Sequence, residues 1–284
     1  FPNASWPPIL NRGSDGFYGT IKSGGNYYDP ATLTRGLTPI TPASDKDYQP
    51  QQGFYYTDAI ADHASWFIHS NGNERDEKGN AKPFFLYVAF TSPHWPLHAP
   101  PEVVQKYTGK YDAGYEPIRA TRFARMKQLK LIGETAELSP APQQWGDVKN
   151  KPWEARCMEV YAAQVDRMDQ NVGKIIDSLD AIGQLDNTLI LFLADKGACA
   201  ENMGRQIHED RRTAVATQPR PIDQSQLEVF PKFTPDGRPI KDGEAVMPGG
   251  DDSYVAYGQG WANVSNTPFR EYNHSVHEGG ISTP

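Results

Sequence analysis

Two short segments carry the residue types that acid–base or metal chemistry requires. Ser92-Pro93-His94 follows the apolar run Phe84 to Phe90, and Asp195-Lys196-Gly197 follows the run Thr188 to Ala194. An imidazole moves protons near neutral pH, a carboxylate ligates cations or takes a proton, and an ammonium neutralises an anionic substrate. Any one of the seven histidines is more often structural than catalytic. His94 differs because Pro93 and Pro96 flank it, which forbids a helix and stiffens the loop that holds it. His274 and His277 have a spacing that can hold zinc, but no carboxylate or third histidine stands at a recognisable distance from them. Asp166 and Asp169, three apart on a helix, read as structural. Cys199 reads as a plain small residue. Glu201 and Arg205 read as loop residues within reach of a substrate.

The elements that must position these groups follow from periodicity. Tyr56 to His69 reads as a helix with Thr57 as N-cap and an apolar stripe of Ile60, Ala64, Phe67 and Ile68. Residues 118–132 read as a second helix whose Arg119, Arg122, Arg125, Lys127 and Lys130 form a solvated face. Trp153 to Ile182 is the clearest helix, with Tyr161, Val165, Met168, Val172, Ile175, Ile176 and Leu179 at steps of three and four and Gly183 as its stop. The two apolar runs, Phe84 to Phe90 and Thr188 to Ala194, read as strands buried on both faces. Helix, short turn, strand implies a layered α/β fold, in which ligands bind beyond the carboxyl ends of strands. Residues 1–53 read as irregular with room for a short strand. Lys196 to Ser253 has no period, and loops of that length are usually functional.

Composition bounds the function. The chain has 284 residues, a net charge of −7 and two cysteines, Cys157 and Cys199. An acidic chain without a basic block is a poor nucleic-acid binder, and two cysteines make no disulfide framework. The longest apolar runs fall far short of the roughly 20 residues of a membrane span. No Walker A, G-x-S-x-G, H-E-x-x-H or G-x-G-x-x-G motif occurs.

Four blocks, in order, carry a resemblance. They are Arg12 to Gly19 (RGSDGFYG), Phe84 to Pro96 with its P-H-W-P loop, the helix with Met168-Asp169 leading into Leu191 to Gly197, and Gly260-Trp261-Ala262-Asn263 through Arg270 to Glu278-Gly279-Gly280. The chain resembles a type I sulfatase of the arylsulfatase branch, within the alkaline-phosphatase-like superfamily. The resemblance implies an α/β/α sandwich with a central mixed sheet, incomplete at both ends. Residues 1–284 would be the central and later part of the catalytic domain. It further implies a sulfuric ester hydrolase whose nucleophile is the hydrate of a formylglycine, made from the Cys or Ser of a C/S-x-P-x-R motif, and whose single divalent cation, Ca2+, neutralises the sulfate. Carried over, His94 matches the histidine that contacts sulfate and the leaving oxygen, and Asp195 matches a metal carboxylate. The substrate would be a small-molecule or glycan sulfate ester, and the location periplasmic or secreted. Asn3, Asn263 and Asn273 begin N-x-S sequons that matter in a secreted protein.

Three departures shape the expectation. No C/S-x-P-x-R motif occurs in the 284 residues, so the chain is expected to be an internal fragment, inactive alone, with the nucleophile ahead of Phe1. The family's D-N-G reads Asp195-Lys196-Gly197, and lysine has no acceptor oxygen for a metal. An ammonium about 4 Å from a divalent ion is repelled by roughly 8 kcal/mol at an effective dielectric of 20. The family's sulfate-binding lysine, five residues before the E-G-G glutamate, reads Asn273. Either the two residue types are exchanged, Lys196 serving the sulfate and Asn273 offering an oxygen nearby, or the chain is a non-catalytic relative that binds sulfated glycans. A phosphodiester or phosphonate monoester hydrolase of the same superfamily is a further alternative.

Overall fold

A computed structural model describes residues 14–22, 24–273 and 276–281. Arg12, Gly13, Asn3 and His274 lie outside the described residues. Three short strands, β1 (Tyr18–Thr20), β2 (Leu33–Arg35) and β3 (Thr38–Pro39), precede seven helices among the described residues. These are α1 (Tyr56–Asn71), α2 (Pro101–Gln105), α3 (Tyr115–Gln128), α4 (Lys151–Ala181), α5 (Glu209–Arg212), α6 (Gly258–Ser265) and α7 (Glu278–Ile281). The chain divides into two compact units. One holds residues 1–92, 167–188 and 215–240, and the other holds 93–166, 189–214 and 241–284.

The first unit is built around tyrosines. The strands form an antiparallel sheet in the order β1-β2-β3, with Gly19 opposite Thr34 and Thr34 opposite Pro39. Tyr27, Leu33, Tyr55, Tyr56, Ala59 and Ile60 form its core. Each buried phenol needs a partner. Tyr56 Oη accepts the Thr20 N–H at 2.9 Å, and Tyr27 donates to the Thr91 carbonyl at 2.9 Å. Helix α1 starts at Tyr56, not after Thr57, because the Tyr56 N–H is already met by the Tyr27 carbonyl at 2.8 Å. Arg167 grips Asp58 with two 2.7 Å bonds, and Asn171 adds a third at 2.7 Å, fixing the second half of α4 on α1.

The second unit packs α3, α6 and the first half of α4 around Trp261, with Tyr115, Trp153, Cys157, Val160 and Val255. Its polar centre is Glu154. Tyr115 donates to the carboxylate at 2.7 Å, Trp261 Nε1 donates to the Glu154 carbonyl at 2.7 Å, and Arg205 closes an ion pair with the carboxylate. Arg205 also donates to the Ala256 carbonyl and lies 4.9 Å over Trp153. Arg205 is therefore a core residue and not a loop group facing substrate.

Several expectations change. Helix α4 forms over nearly the predicted span, and Gly183 ends it at φ 70. Its buried face follows the predicted stripe only in part: Leu179 is buried and Tyr161 packs against the core, but Trp153, Cys157, Val160 and Gln164 are also inside, whereas Val165 is 37% exposed. In α3, Arg119 is buried and not solvated, since Ser139 accepts it through both carbonyl and hydroxyl at 2.6 and 2.7 Å. The two apolar runs form no strand and pair with none among the described residues. Phe85 is 91% and Leu193 82% exposed. A strand buried on both faces exists only with ladder neighbours on both sides, and the described residues give these runs none.

Candidate functional site

The second unit gathers one cluster of chemistry-bearing side chains. His94, Cys199 and Glu201 offer ligand-type atoms that all lie within 4.8 Å of one another, and all three side chains are half-buried. His94 sits where its proline-flanked loop turns. The Gln164 amide, on α4, donates to the carbonyls of His94 and Pro96 at 3.3 Å each, and the Leu97 N–H bonds the Val255 carbonyl at 2.9 Å. The His94 ring bonds the Trp95 carbonyl through Nδ1 at 2.9 Å. A carbonyl only accepts, so Nδ1 carries a proton and the neutral ring keeps its lone pair on Nε2. Trp95 Nε1 donates to Glu201 at 2.7 Å. One residue thus orients both the imidazole and the carboxylate.

The opposite loop is held by asparagines. Asn266 Oδ1 accepts the Ala198 N–H at 2.9 Å, while its amide donates to the carbonyls of Glu271 and Gly279 at 3.0 and 2.8 Å. Gly197 passes so close to the Gly279 carbonyl that a Cβ there would overlap it. Asn273 brackets Cys199. Its N–H bonds the Ala198 carbonyl at 2.9 Å, its Oδ1 accepts the Ala200 N–H at 3.3 Å, and its side chain hydrogen-bonds the thiol. Burial pushes the Cys199 thiol up from its ordinary pKa, opposed in part by hydrogen bonds from the Glu201 backbone and from the Asn273 and Trp95 side chains.

The predicted residues are only partly brought together. His94 and Asn273 meet around Cys199. Asp195 and Lys196 are exposed, and among the described residues no hydrogen bond or ion pair engages either side chain. Glu201, read from the sequence as a loop residue within reach of a substrate, lies in the cluster, and so does Cys199, which read as a plain small residue. The signal for them was their i, i+2 spacing, which in an extended segment puts both side chains on one face. Asn263 and Asn273 are buried, at 2% and 4% exposure, so neither sequon presents its amide to a glycan. A calcium ion takes six to eight oxygen ligands. Here Asp195 belongs to no group of three candidate ligands among the described residues, and Lys196 has no acceptor. The described residues do not by themselves fit a calcium cage. No described helix is long and apolar enough to cross a membrane.

The Sulfatase family model matches residues 9–284. An uncharacterized sulfatase of Schizosaccharomyces pombe is 30% identical over 291 aligned residues, covering 96% of this chain and 46% of the relative. An arylsulfatase of Klebsiella aerogenes is 30% identical over 235, covering 81% of this chain and 44% of the relative. The chain thus spans under half the length of these two relatives. A crystal structure of Ps i-CgsB in complex with a neocarrahexaose superposes with a TM-score of 0.42 at 24% identity, over 66% of this chain and 33% of that one.

Proposed function

The chain belongs to the sulfatase family, whose fold class is the alkaline-phosphatase-like α/β/α sandwich with a central mixed sheet, and on that premise we propose that residues 1–284 are the central and later part of the catalytic domain of a sulfuric ester hydrolase. The substrates are sulfate esters of carbohydrate or aryl alcohols. The observation that carries this reading is the fixed ring of His94. With Nδ1–H held by the Trp95 carbonyl, Nε2 is the ring nitrogen left to carry the transferable proton, which it donates to the alcohol oxygen as the S–O bond breaks. Lys196, exposed at the end of the second apolar run, brings an ammonium to the sulfate oxygens. Asn273 shapes the floor of the site through the backbone on either side of Cys199. Asp195 is the one carboxylate this segment brings to the family's calcium. The formylglycine nucleophile comes from a residue outside these 284, and the family's usual setting is periplasmic or secreted.

The test is release of inorganic sulfate by the full-length protein from two esters, one with an acidic phenol and one with an alkyl alcohol. General acid catalysis contributes about 10²–10⁴-fold where the leaving group is poor. His94→Gln should therefore lower alkyl sulfate turnover by about that factor and affect the phenyl ester far less. Equal losses on both esters would refute the acid role. A second reading is favoured by Lys196 and Asn273 standing where the family has Asn and Lys. In that reading the protein binds sulfated glycans without hydrolysing them. Glycan binding that depends on Lys196, with no sulfate released from either ester, would select it.

A further inference from the structure

We propose that His94, Cys199 and Glu201 form a binding site for a borderline-soft divalent metal ion, with zinc as its type. The three residues supply imidazole, thiolate and carboxylate, the ligand set that zinc takes and calcium does not. Their ligand atoms lie within 4.8 Å of one another. Zinc bonds of about 2.0–2.3 Å put tetrahedral ligands roughly 3.3–3.6 Å apart, so the cluster needs to contract by little more than about 1 Å. That is within the range of side-chain rotation.

The surroundings are those of a built site. A metal-bound histidine donates its other ring nitrogen to a fixed acceptor, and His94 Nδ1 already donates to the Trp95 carbonyl. Ligand carboxylates are hydrogen-bonded in turn, and Trp95 Nε1 holds Glu201 at 2.7 Å. Asn273 fixes the backbone before and after Cys199 and hydrogen-bonds its sulfur. Binding is balanced in charge. The thiol proton passes to solvent, and one thiolate plus one carboxylate then neutralise the divalent ion, leaving the imidazole neutral. Three protein ligands leave a fourth position open. Occupancy takes the Nε2 lone pair, so metal binding and proton donation by His94 exclude each other. The site does not depend on the protein being a hydrolase.

The test is titration of the purified, metal-free chain with Co2+, whose spectrum reports its ligands, followed by displacement with Zn2+. The expected result is one equivalent of tetrahedral Co2+ with a thiolate-to-cobalt charge-transfer band, displaced by Zn2+ and not by Ca2+. Cys199→Ser should abolish the band. Trp95→Phe, which keeps all three ligands and removes the indole donor, should weaken zinc about 10–100-fold. Cys157→Ala should leave the band intact, because Cys157 is fully buried in the core. Thermal melts confirm that each variant folds. Cobalt binding without the band, a band that follows Cys157, or a Cys199→Ser zinc affinity equal to the wild type would each overturn the proposal.

Discussion

His98 should make this protein acid-labile by an amount that can be worked out. The side chain has no exposure, and its Nε2 donates to the Ser253 carbonyl at 2.7 Å. Burial lowers its pKa from 6.5 to about 4, against smaller opposing contributions from the Ser253 hydrogen bond and the charge of Asp251. Between those two values the unfolded chain binds a proton that the folded chain refuses. Stability therefore rises with pH across the window and is lost as pH falls. Integrating the linkage from pH 8 gives a loss of about 2 kcal/mol by pH 5 and about 3 kcal/mol by pH 4. His98→Gln keeps an amide donor near the Ser253 carbonyl but cannot titrate. Its stability near pH 7 should fall by about 1 kcal/mol for an imperfect hydrogen bond, and its decline toward pH 5 should be shallower than that of the wild type by about 2 kcal/mol. Urea unfolding followed by tryptophan fluorescence at pH 7, 6 and 5 measures both. Carboxylates elsewhere titrate in both proteins and cancel in the difference. Parallel pH profiles for the two proteins would show that His98 is not held neutral by burial.

The other predictions concern the frame of the site. Arg205→Met strands the Glu154 carboxylate, whose side chain is 5% exposed, and should cost about 3–5 kcal/mol in chemical denaturation; the double variant with Glu154→Met should recover part of that loss, and failure to recover any would argue against the pair. Asn266→Ala leaves the Ala198 N–H and two carbonyls unmet and should cost about 1–3 kcal/mol for each group that water cannot reach, with faster amide exchange at Ala198 as the local readout. Gly197→Ala drives a methyl into the Gly279 carbonyl and should cost about 1–3 kcal/mol, visible as a lower melting temperature; a neutral substitution would mean that the loop passes Gly279 less closely.

The helices were legible because their signal is local. Tyr56 to His69 and Trp153 to Ile182 announce themselves by period, and the second also by its terminal glycine, whereas Thr57 proves not to be the cap of the first. Which face they bury was less legible, because that depends on the partner. Both the stripe through Val165 and the one through Trp153, Cys157 and Val160 are apolar, and it is Tyr115, Val255 and Trp261 that cover the latter. Arg119 misled for the same reason: five basic residues on one helix read as solvated until Ser139 supplies a carbonyl and a hydroxyl. The apolar runs read as strands buried on both faces, whereas among the described residues they join no sheet and most of their side chains are exposed. An apolar run is local, whereas pairing and burial of a strand are properties of its neighbours. The stiff loop that holds His94 was legible from its prolines. The cluster was not, because Cys199 and Glu201 meet His94 only across more than a hundred positions of sequence.

The way the site is held together follows from its loops. A strand is kept in place by backbone pairs, and residues 195–201 have few of them: the Gly197 N–H on the Gly280 carbonyl at 3.5 Å and the Ala198 carbonyl on the Asn273 N–H. Side-chain amides take over that work. Asn266 ties Ala198 to Glu271 and Gly279, Asn273 bonds the backbone on either side of Cys199, and Gln164 ties the His94 loop to α4. Each such bond contributes only about 0.5–1.5 kcal/mol net. Losing one therefore leaves the fold standing while allowing the loops to drift by fractions of an ångström. Ligand geometry does not tolerate that drift, since a metal site needs its distances within about 0.2 Å and a proton donor needs its acceptor within about 3.2 Å. Substitution of Gln164 or Asn273 should thus degrade metal affinity or turnover far more steeply than it lowers the melting temperature. A core residue such as Val160 should show the reverse order.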